Sequence, residues 1–137
     1  MTSRQVFCDF EVPFHDVDAL RIVWHGNYFK YLELARTALL RACDLDTEFI
    51  AQPGYRLLLV DAHCRYTFPL RYGDKARVTA CLSAITPRIV ISYRIRNLSH
   101  NRGSARAKTV LVTTERDGSM LFETPHEVLQ RLSSYFS

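Results

Sequence analysis

Residues 28–44 read YFKYLELARTALLRACD, and this stretch decides the architecture of the chain. Its apolar side chains recur at intervals of three and four residues, the spacing typical of an amphipathic α-helix. The recurring positions are Tyr28, Tyr31, Leu32, Ala35, Ala38, Leu39, Ala42 and Cys43. Because a helix turns through about 100° per residue, these side chains cover more than half of its circumference. We therefore predict a long helix over residues 28–43 that is largely wrapped by the rest of the fold.

The polar side of this helix is a narrow stripe, made of Lys30, Glu33, Thr37, Arg41 and Asp44. Arg36 falls inside the apolar arc, and a buried guanidinium group needs a partner. Glu33 lies one turn before Arg36 and is one candidate, and a carboxylate from elsewhere is the other. A curved β-sheet is the simplest structure that could wrap such a helix.

The segments on either side of the helix have the alternating or continuous apolar patterns of β-strands. A first strand is predicted before the helix, ending near Pro13. Four more follow a loop around residues 52–54, and residues 97–103 form a second loop. The predicted strands cover residues 5–14, 55–70, 75–84, 89–96 and 105–115.

The C-terminal part carries two turn and helix signals. Asp117 and Gly118 indicate a hairpin, after which residues 119–123 would return as a strand. Thr124 can cap a short final helix, with Pro125 at its first position and Glu127 completing a capping box. The order of elements predicts an α+β domain in which an antiparallel sheet surrounds one long central helix.

The length and composition fit one globular domain over residues 1–137, which is long enough to bury a core without disulfides or a metal ion. The net charge of +4 is mild and would favour a phosphate-bearing ligand or an acidic protein partner. The basic residues form no dense block and do not alternate with aromatic residues, so nucleic-acid binding is not expected.

Cysteine usage and hydropathy point to a cytoplasmic protein. The four cysteines, Cys8, Cys43, Cys64 and Cys81, form no CxxC pair, so neither a zinc site nor a redox motif is indicated. The first nine residues contain no long apolar run, and no stretch approaches the roughly 20 apolar residues that cross a bilayer. We expect free thiols and no membrane association.

The polar groups that could carry chemistry lie between the first strand and the helix: Asp16, Asp18, His25, Asn27 and Tyr28. In extended backbone Asp16 and Asp18 would point to the same side, and the residues after Asp18 would give its carboxylate an apolar surround. His25 stands at the start of the helix, where free backbone N–H groups favour an oxygen that gains negative charge. This arrangement suits acyl transfer, although turn-forming and capping roles would explain the same residues.

A metal site formed by His15, Asp16, Asp18 and His25 is the other chemical reading of this segment. Its spacing matches no established ligand pattern, so we expect no metal and no cofactor.

The same segment resembles the 4-hydroxybenzoyl-CoA thioesterase family, including its broad bacterial acyl-CoA thioesterase branch. The resemblance rests on Asp-Val-Asp-Ala at residues 16–19, Val-Trp-His-Gly-Asn-Tyr at residues 23–28, and Glu-Leu-Ala-Arg at residues 33–36. The family fold is the hotdog, a long helix wrapped by an antiparallel sheet, and it agrees with the predicted order of elements.

The resemblance implies the following roles. Asp18 would be the catalytic carboxylate, acting either as a nucleophile on the thioester or as the base for a water molecule. His25 would polarise the thioester carbonyl through its backbone N–H, and Asn27, Tyr28 and Trp24 would contact the substrate. Hotdog proteins build their sites between subunits, so a homodimer or homotetramer is expected.

The sequence departs from the family at Leu20 and Arg21, where the family often has glycine, and this puts the substrate in doubt. Six aromatic residues could line an acyl pocket: Trp24, Tyr28, Phe29, Tyr31, Tyr66 and Phe68. Four basic residues near strand ends could meet the phosphates of CoA: Lys75, Arg88, Arg102 and Arg106.

The expected activity is hydrolysis of an acyl-CoA thioester. A thioester on an acidic acyl carrier protein is the first alternative, because the mild positive charge fits that partner equally well. A non-catalytic hotdog protein that binds an acyl ligand is the second. A hotdog dehydratase or hydratase would need another Asp/His arrangement, which the sequence lacks.

Overall fold

The chain forms one five-stranded antiparallel sheet with a long helix packed against it, as a computed structural model describes it for residues 4–45 and 54–136. The helices are α1 (Tyr28–Ala42) and α2 (His126–Ser133). The strands are β1 (Val6–Glu11), β2 (Arg56–Tyr66), β3 (Lys75–Ala84), β4 (Ile89–Asn97) and β5 (Arg102–Thr114).

The strands lie in the order β1-β3-β4-β5-β2, and every neighbouring pair is antiparallel. The predicted alternation is confirmed in β3, where Ala76, Val78, Ala80 and Leu82 are buried, and in β4, where Ile89, Ile91, Tyr93 and Ile95 are buried. These side chains form the face that packs with the helix into one core. The predicted α+β hotdog architecture is therefore confirmed.

The central helix begins at Tyr28 as predicted and packs against β1 and β3. Tyr31, Leu32, Ala35 and Leu39 on this side are buried. The prediction that the helix is largely wrapped agrees with this packing, although Phe29, Leu34 and Ala42 are exposed in the described structure. A sheet of five strands covers one side of the helix and leaves the other side open.

Arg36 is half-buried, and its guanidinium group lies beside the hydroxyl of Tyr93 on β4. Tyr93 also shares a 2.7 Å hydrogen bond with Thr109. The predicted need of Arg36 for a partner is thus met by a phenol, and the described contacts give it no carboxylate partner.

Several predicted boundaries are wrong near the chain reversals. The strand predicted from Ala105 begins at Arg102, because the sheet register pairs Arg102 with Asn97 and shortens the turn between β4 and β5. The predicted loop around residues 52–54 lies largely outside the described residues. The hairpin at Asp117 and Gly118 is present, with the amide of Glu115 donating to the carbonyl of Ser119 at 2.9 Å.

The predicted strand over residues 119–123 is reduced to one bridge between Thr114 and Met120. The predicted capping of α2 is also wrong. Pro125 occupies the N-cap position, and no side chain caps the helix. The hydroxyl of Thr124 instead donates to the carbonyl of Ile85 at 2.5 Å, because that carbonyl in the turn after β3 lies within reach.

Cys8, Cys43, Cys64 and Cys81 are all free thiols. None of the helices described is both long enough and apolar enough to cross a membrane.

Candidate active site

Asp18 opens a tight turn in the loop between β1 and α1. A bridge between Val17 and Val23 closes this turn, and the amide of Asp18 donates to the carbonyl of Ile22 at 2.9 Å. The Oδ1 atom of Asp18 accepts a 2.8 Å hydrogen bond from the amide of Leu20. The turn therefore fixes both the backbone and the carboxylate of Asp18.

The turn has a backbone position that suits glycine, as the resemblance in sequence implied for residues 20 and 21. Arg21 has a φ of 66°, in the left-handed region that strains a residue with a Cβ atom. Its amide donates to the carbonyl of Asp18 at 2.9 Å, so the strained conformation belongs to the turn that holds Asp18. Arg21 thus adopts, at a cost in strain, a backbone conformation that glycine adopts without strain.

The carboxylate of Asp18 lines an open cleft with a volume of about 460 Å³. The far wall comes from the segment that follows β2. The complete lining is Asp18, Leu20, Ile22, Val23, His25, Tyr28, Tyr66, Thr67, Phe68 and Pro69. Apart from the carboxylate, the imidazole and three hydroxyl groups, this lining is apolar, as a site for an acyl or aromatic group requires.

Asp16 has a different environment, and the prediction that the two carboxylates point to the same side is wrong. Residues 14–16 form a 3₁₀ turn, so the backbone there is not extended. The Asp16 side chain is 2% exposed, accepts a 2.6 Å hydrogen bond from the hydroxyl of Tyr31, and is paired with Lys30. Asp16 therefore anchors the loop to the first turn of α1 and does not line the cleft.

The ionisation of these groups follows from that anchoring. Burial opposes the charged form of Asp16, but the hydrogen bonds from Lys30 and Tyr31 outweigh it and hold the pKa of Asp16 below its ordinary value. Burial and the neighbouring Asp16 carboxylate raise the pKa of Tyr31. Asp16 is thus a carboxylate, and Tyr31 a neutral donor, throughout the physiological range.

His25 begins a second 3₁₀ turn, residues 25–27, that leads directly into α1. Its carbonyl accepts a 2.9 Å hydrogen bond from the hydroxyl of Tyr66 and a bond from the amide of Tyr28. Across residues 4–45 and 54–136 no acceptor is found for the backbone N–H of His25. An open N–H at a helix start, on a residue that lines the same cleft as Asp18, is suited to hold a developing oxyanion.

Trp24 and Gly26 flank His25 and form one unit. The centroid of the Trp24 ring lies 5.0 Å from that of His25, and the ring covers Gly26 so closely that a Cβ atom there would lie 2.2 Å from it. Gly26 is therefore required by the close approach of the indole. Trp24 is 50% exposed and is not part of the cleft lining, so the structure does not bring it together with Asp18.

Asn27 and Tyr28 fix the loop from the helix side. The side-chain amide of Asn27 donates to the carbonyl of Asp16 at 2.9 Å, and Asn27 does not line the cleft. Tyr28 does line it: the phenol oxygen accepts a 3.3 Å hydrogen bond from the amide of Leu70, and the ring meets that of Tyr66 edge-on at 4.8 Å. Burial raises the pKa of Tyr28, so the phenol stays neutral.

The far wall of the cleft was foreseen only in part. Of the predicted aromatic residues, Tyr66 and Phe68 line the cleft, whereas Phe29 and Tyr31 do not. Burial raises the pKa of Tyr66 to about 12, which keeps it a hydrogen-bond donor to His25. The sequence did not indicate that Thr67 and Pro69 line the cleft, because their position depends on where β2 ends.

Of the four basic residues considered for CoA, Arg102 lies beside the cleft and the other three do not. The guanidinium of Arg102 lies 4.6 Å from the centroid of the Phe68 ring, beside the cleft. Arg106 is exposed on the sheet face that points away from the helix. Lys75 and Arg88 are exposed and are not part of the cleft lining.

Comparisons with known proteins agree with this geometry. Residues 12–132 match the family model of the thioesterase-like superfamily. A suspected esterase of Aquifex aeolicus is 30% identical over 121 residues, which cover 88% of this chain and 92% of the relative. A suspected acyl-CoA thioesterase of Bacillus subtilis is 33% identical over 70 residues, 51% of each chain.

Among solved structures, a mutant of 4-hydroxybenzoyl-CoA thioesterase complexed with 4-hydroxybenzoyl-CoA superimposes with a TM-score of 0.84. The two proteins are 18% identical, and the match covers 95% of this chain and 99% of that one. At this identity the likeness supports the fold. The family match over residues 12–132 goes further: the chain belongs to the thioesterase-like superfamily and is a thioester hydrolase with the hotdog fold.

Proposed function

We propose that the chain hydrolyses an acyl-CoA thioester in the cleft beside α1, with Asp18 as the catalytic carboxylate. The observation that carries this proposal is that Asp18 and His25 line one largely apolar cleft, and that the backbone N–H of His25 has no acceptor among the described residues. Acyl transfer needs a group that attacks the carbonyl carbon and a donor that stabilises the oxyanion.

The turn around Asp18 prepares the carboxylate for this role. Oδ1 is held by the amide of Leu20, while within the described part of the chain no donor approaches Oδ2. Oδ2 is therefore the atom that would attack the thioester carbon or take a proton from a water molecule. Direct attack would form a mixed anhydride and release the CoA thiolate, and water would then hydrolyse the anhydride to the free acid.

His25 would act mainly through its backbone. Its N–H would donate to the thioester oxygen as negative charge develops there, and the helix start adds a favourable dipole. The hydroxyl of Tyr66 holds the carbonyl of His25 and so orients the turn. The exposed imidazole of His25 would assist this step from the same cleft.

The acyl group of the substrate would lie between the apolar walls of the cleft, and the nucleotide of CoA would lie outside the cleft. Tyr28, Tyr66 and Phe68 supply flat aromatic surface, which accepts an aromatic ring or an aliphatic chain. Arg102, whose guanidinium group lies 4.6 Å from the centroid of the Phe68 ring, would meet a phosphate group at the edge of this wall. Trp24 and Asn27 then support the turn of His25, and a second copy of the chain would complete the open side of the cleft.

The test is thiol release from a panel of acyl-CoAs of short, medium, long and aromatic type, with a colorimetric reagent blanked for the native cysteines. Asp18→Asn should fold normally and lose activity by about a hundredfold or more, the scale of a lost acid–base or nucleophilic group. Glu123→Gln, at an exposed carboxylate that follows the Asp117–Gly118 turn, is the control and should keep wild-type activity.

Two outcomes would contradict the proposal in different ways. Full activity of Asp18→Asn would remove Asp18 from the reaction. The second outcome is that no acyl-CoA releases thiol but the same acyl groups are released from an acyl carrier protein. The substrate would then be an acyl carrier protein thioester, and the assignment of the active site would stand.

A further inference from the structure

The sheet face that points away from α1 carries a row of arginines that the proposed reaction does not use. Arg94 on β4 lies directly opposite Arg106 on β5, and Arg106 lies directly opposite Arg65 on β2. Directly opposite residues of antiparallel strands share one face, and their Cβ atoms are about 5 Å apart. All three side chains are exposed. Three positive charges therefore stand side by side across three neighbouring strands.

This row differs from its surroundings because its charges are uncompensated. In the next row Arg77 makes hydrogen bonds of 2.7 and 2.9 Å to Asp9, and Arg96 is hydrogen-bonded to Asn101. Within the described residues, no hydrogen bond or ion pair engages Arg65, Arg94 or Arg106. Like charges directly opposite one another destabilise a sheet, so an anion bound to this row would relieve a repulsion built into the fold.

Two depressions lie on either side of the Arg94–Arg106 pair. One has a volume of about 360 Å³ and offers the hydroxyl groups of Thr79 and Ser92 beside both arginines. The other has a volume of about 240 Å³ and adds Arg77 and Arg96 to the same pair. Guanidinium groups match the geometry of phosphate oxygens, and neighbouring hydroxyl groups donate to them as well.

We propose that this face is a second ligand site, centred on Arg94 and Arg106, for a small molecule with two or more phosphate groups. Two depressions on either side of one arginine pair suit a ligand whose phosphates are linked, such as a pyrophosphate or a nucleotide. Among the described strand residues of this face, Phe7 on the outer strand β1 has an exposed ring, and Arg77 already lies over it. The phosphates and not a base therefore provide most of the binding energy.

The ligand could be the nucleotide end of CoA or a separate nucleotide. Thr67 lines both the smaller depression and the Asp18 cleft, so the nucleotide of a CoA molecule bound in that cleft could extend past Arg102 to this row. The proposal does not depend on thioester hydrolysis, because the arginine row has no part in the reaction at Asp18.

The experiment is calorimetric titration of the full chain with inorganic pyrophosphate, ATP and CoA. Arg94→Gln and Arg106→Gln each remove one central charge, and Arg71→Gln removes one exposed charge elsewhere as the matched control. We expect the affinity for pyrophosphate to fall roughly tenfold or more in the first two variants, the scale of a lost charged hydrogen bond, and to stay unchanged in Arg71→Gln.

The pattern across the probes identifies the source. CoA binding that weakens in the same two variants assigns the site to the CoA nucleotide, whereas CoA binding that is unaffected while ATP binding weakens assigns it to a separate nucleotide. Three results would overturn the proposal: no pyrophosphate binding at millimolar concentration, equal binding by all variants, or Arg94-dependent binding of a single-stranded oligonucleotide alone. Circular dichroism checks that each variant is folded.

Discussion

The hydroxyl of Tyr31 donates a 2.6 Å hydrogen bond to Oδ2 of the buried Asp16 carboxylate, and this contact joins the first turn of α1 to the loop that carries Asp18. The backbone of Asp16 continues the connection, because its carbonyl accepts from the amide of Trp24 at 3.0 Å and from the side chain of Asn27 at 2.9 Å. Asp16 thus fixes both the Asp18 turn and the His25 turn relative to the helix.

Removing the hydroxyl tests the strength of this connection. Tyr31→Phe leaves the buried carboxylate with one fewer donor, so we expect the free energy of unfolding to fall by about 1–3 kcal/mol. Urea unfolding measures the change. Tyr72→Phe is the matched control, since Tyr72 is exposed and its loss of a hydroxyl should change stability very little. Equal stabilities of wild type and Tyr31→Phe would show that Asp16 is held by Lys30 alone.

Asp16 should also give the fold an acid-sensitive contribution to stability. The folded-state pKa of Asp16 is lowered, so at acid pH the unfolded chain binds more protons than the folded one. The stabilisation is complete above the unfolded pKa of about 4 and is lost as pH falls through the folded value. Asp16→Asn should therefore be less stable than wild type at neutral pH and lose less stability between about pH 5 and about pH 3.

The measurement is the urea midpoint of both proteins across that pH range, with Glu123→Gln as the exposed-carboxylate control. Parallel pH profiles of wild type and Asp16→Asn would mean that other carboxylates dominate acid unfolding.

Local patterns explain what could be predicted of the fold. The period of three and four residues in α1 and the alternation in β3 and β4 are set by which side chains face the core, and a sequence records that directly. The helix start at Tyr28 and the alternating burial of β3 followed from these patterns. The likeness of residues 16–28 to a known family added the expected roles of Asp18 and His25.

The errors arose where a distant contact decides the local structure. Asp16 turns away from Asp18 because Lys30 and Tyr31, fourteen and fifteen residues later, provide its partners. Thr124 does not cap α2 because the carbonyl of Ile85, 39 residues earlier, takes its hydroxyl proton. The residues adjacent in sequence to Asp16 and to Thr124 give no indication of these contacts.

Arg21 offers a test of strain in the turn that carries Asp18. The φ of 66° at residue 21 favours glycine, so relief of strain in Arg21→Gly should raise the free energy of unfolding by about 1 kcal/mol. The greater conformational entropy that glycine gives the unfolded chain offsets part of this gain. Leu20→Gly is the matched control, because Leu20 is a neighbouring exposed residue without a positive φ, and it should destabilise the fold. Thermal unfolding of the two variants measures both effects, and a destabilised Arg21→Gly would show that the side chain makes contacts that outweigh the strain.

The open edge of β2 leads to a prediction about assembly. Within the described chain β2 pairs only with β5, and its other edge is unpaired beside the exposed side chains of Leu58, Leu59 and Val60. An unpaired apolar edge strand is a template for another strand, whereas the opposite edge, β1, carries the charged Asp9 and Glu11.

We expect two copies to pair through β2, which would bring the open sides of two Asp18 clefts towards a shared interface. Leu58→Lys places a charge on this edge and should raise the dimer dissociation constant by about tenfold or more, as for the loss of a central apolar contact. Leu98→Lys is the control: Leu98 is 39% exposed, close to the 45% of Leu58, but lies in the turn after β4. Light scattering over a concentration series gives the dissociation constants. A wild-type monomer, or a dimer unaffected by Leu58→Lys, would rule out assembly through β2, because a strand pair cannot form there without burying residue 58.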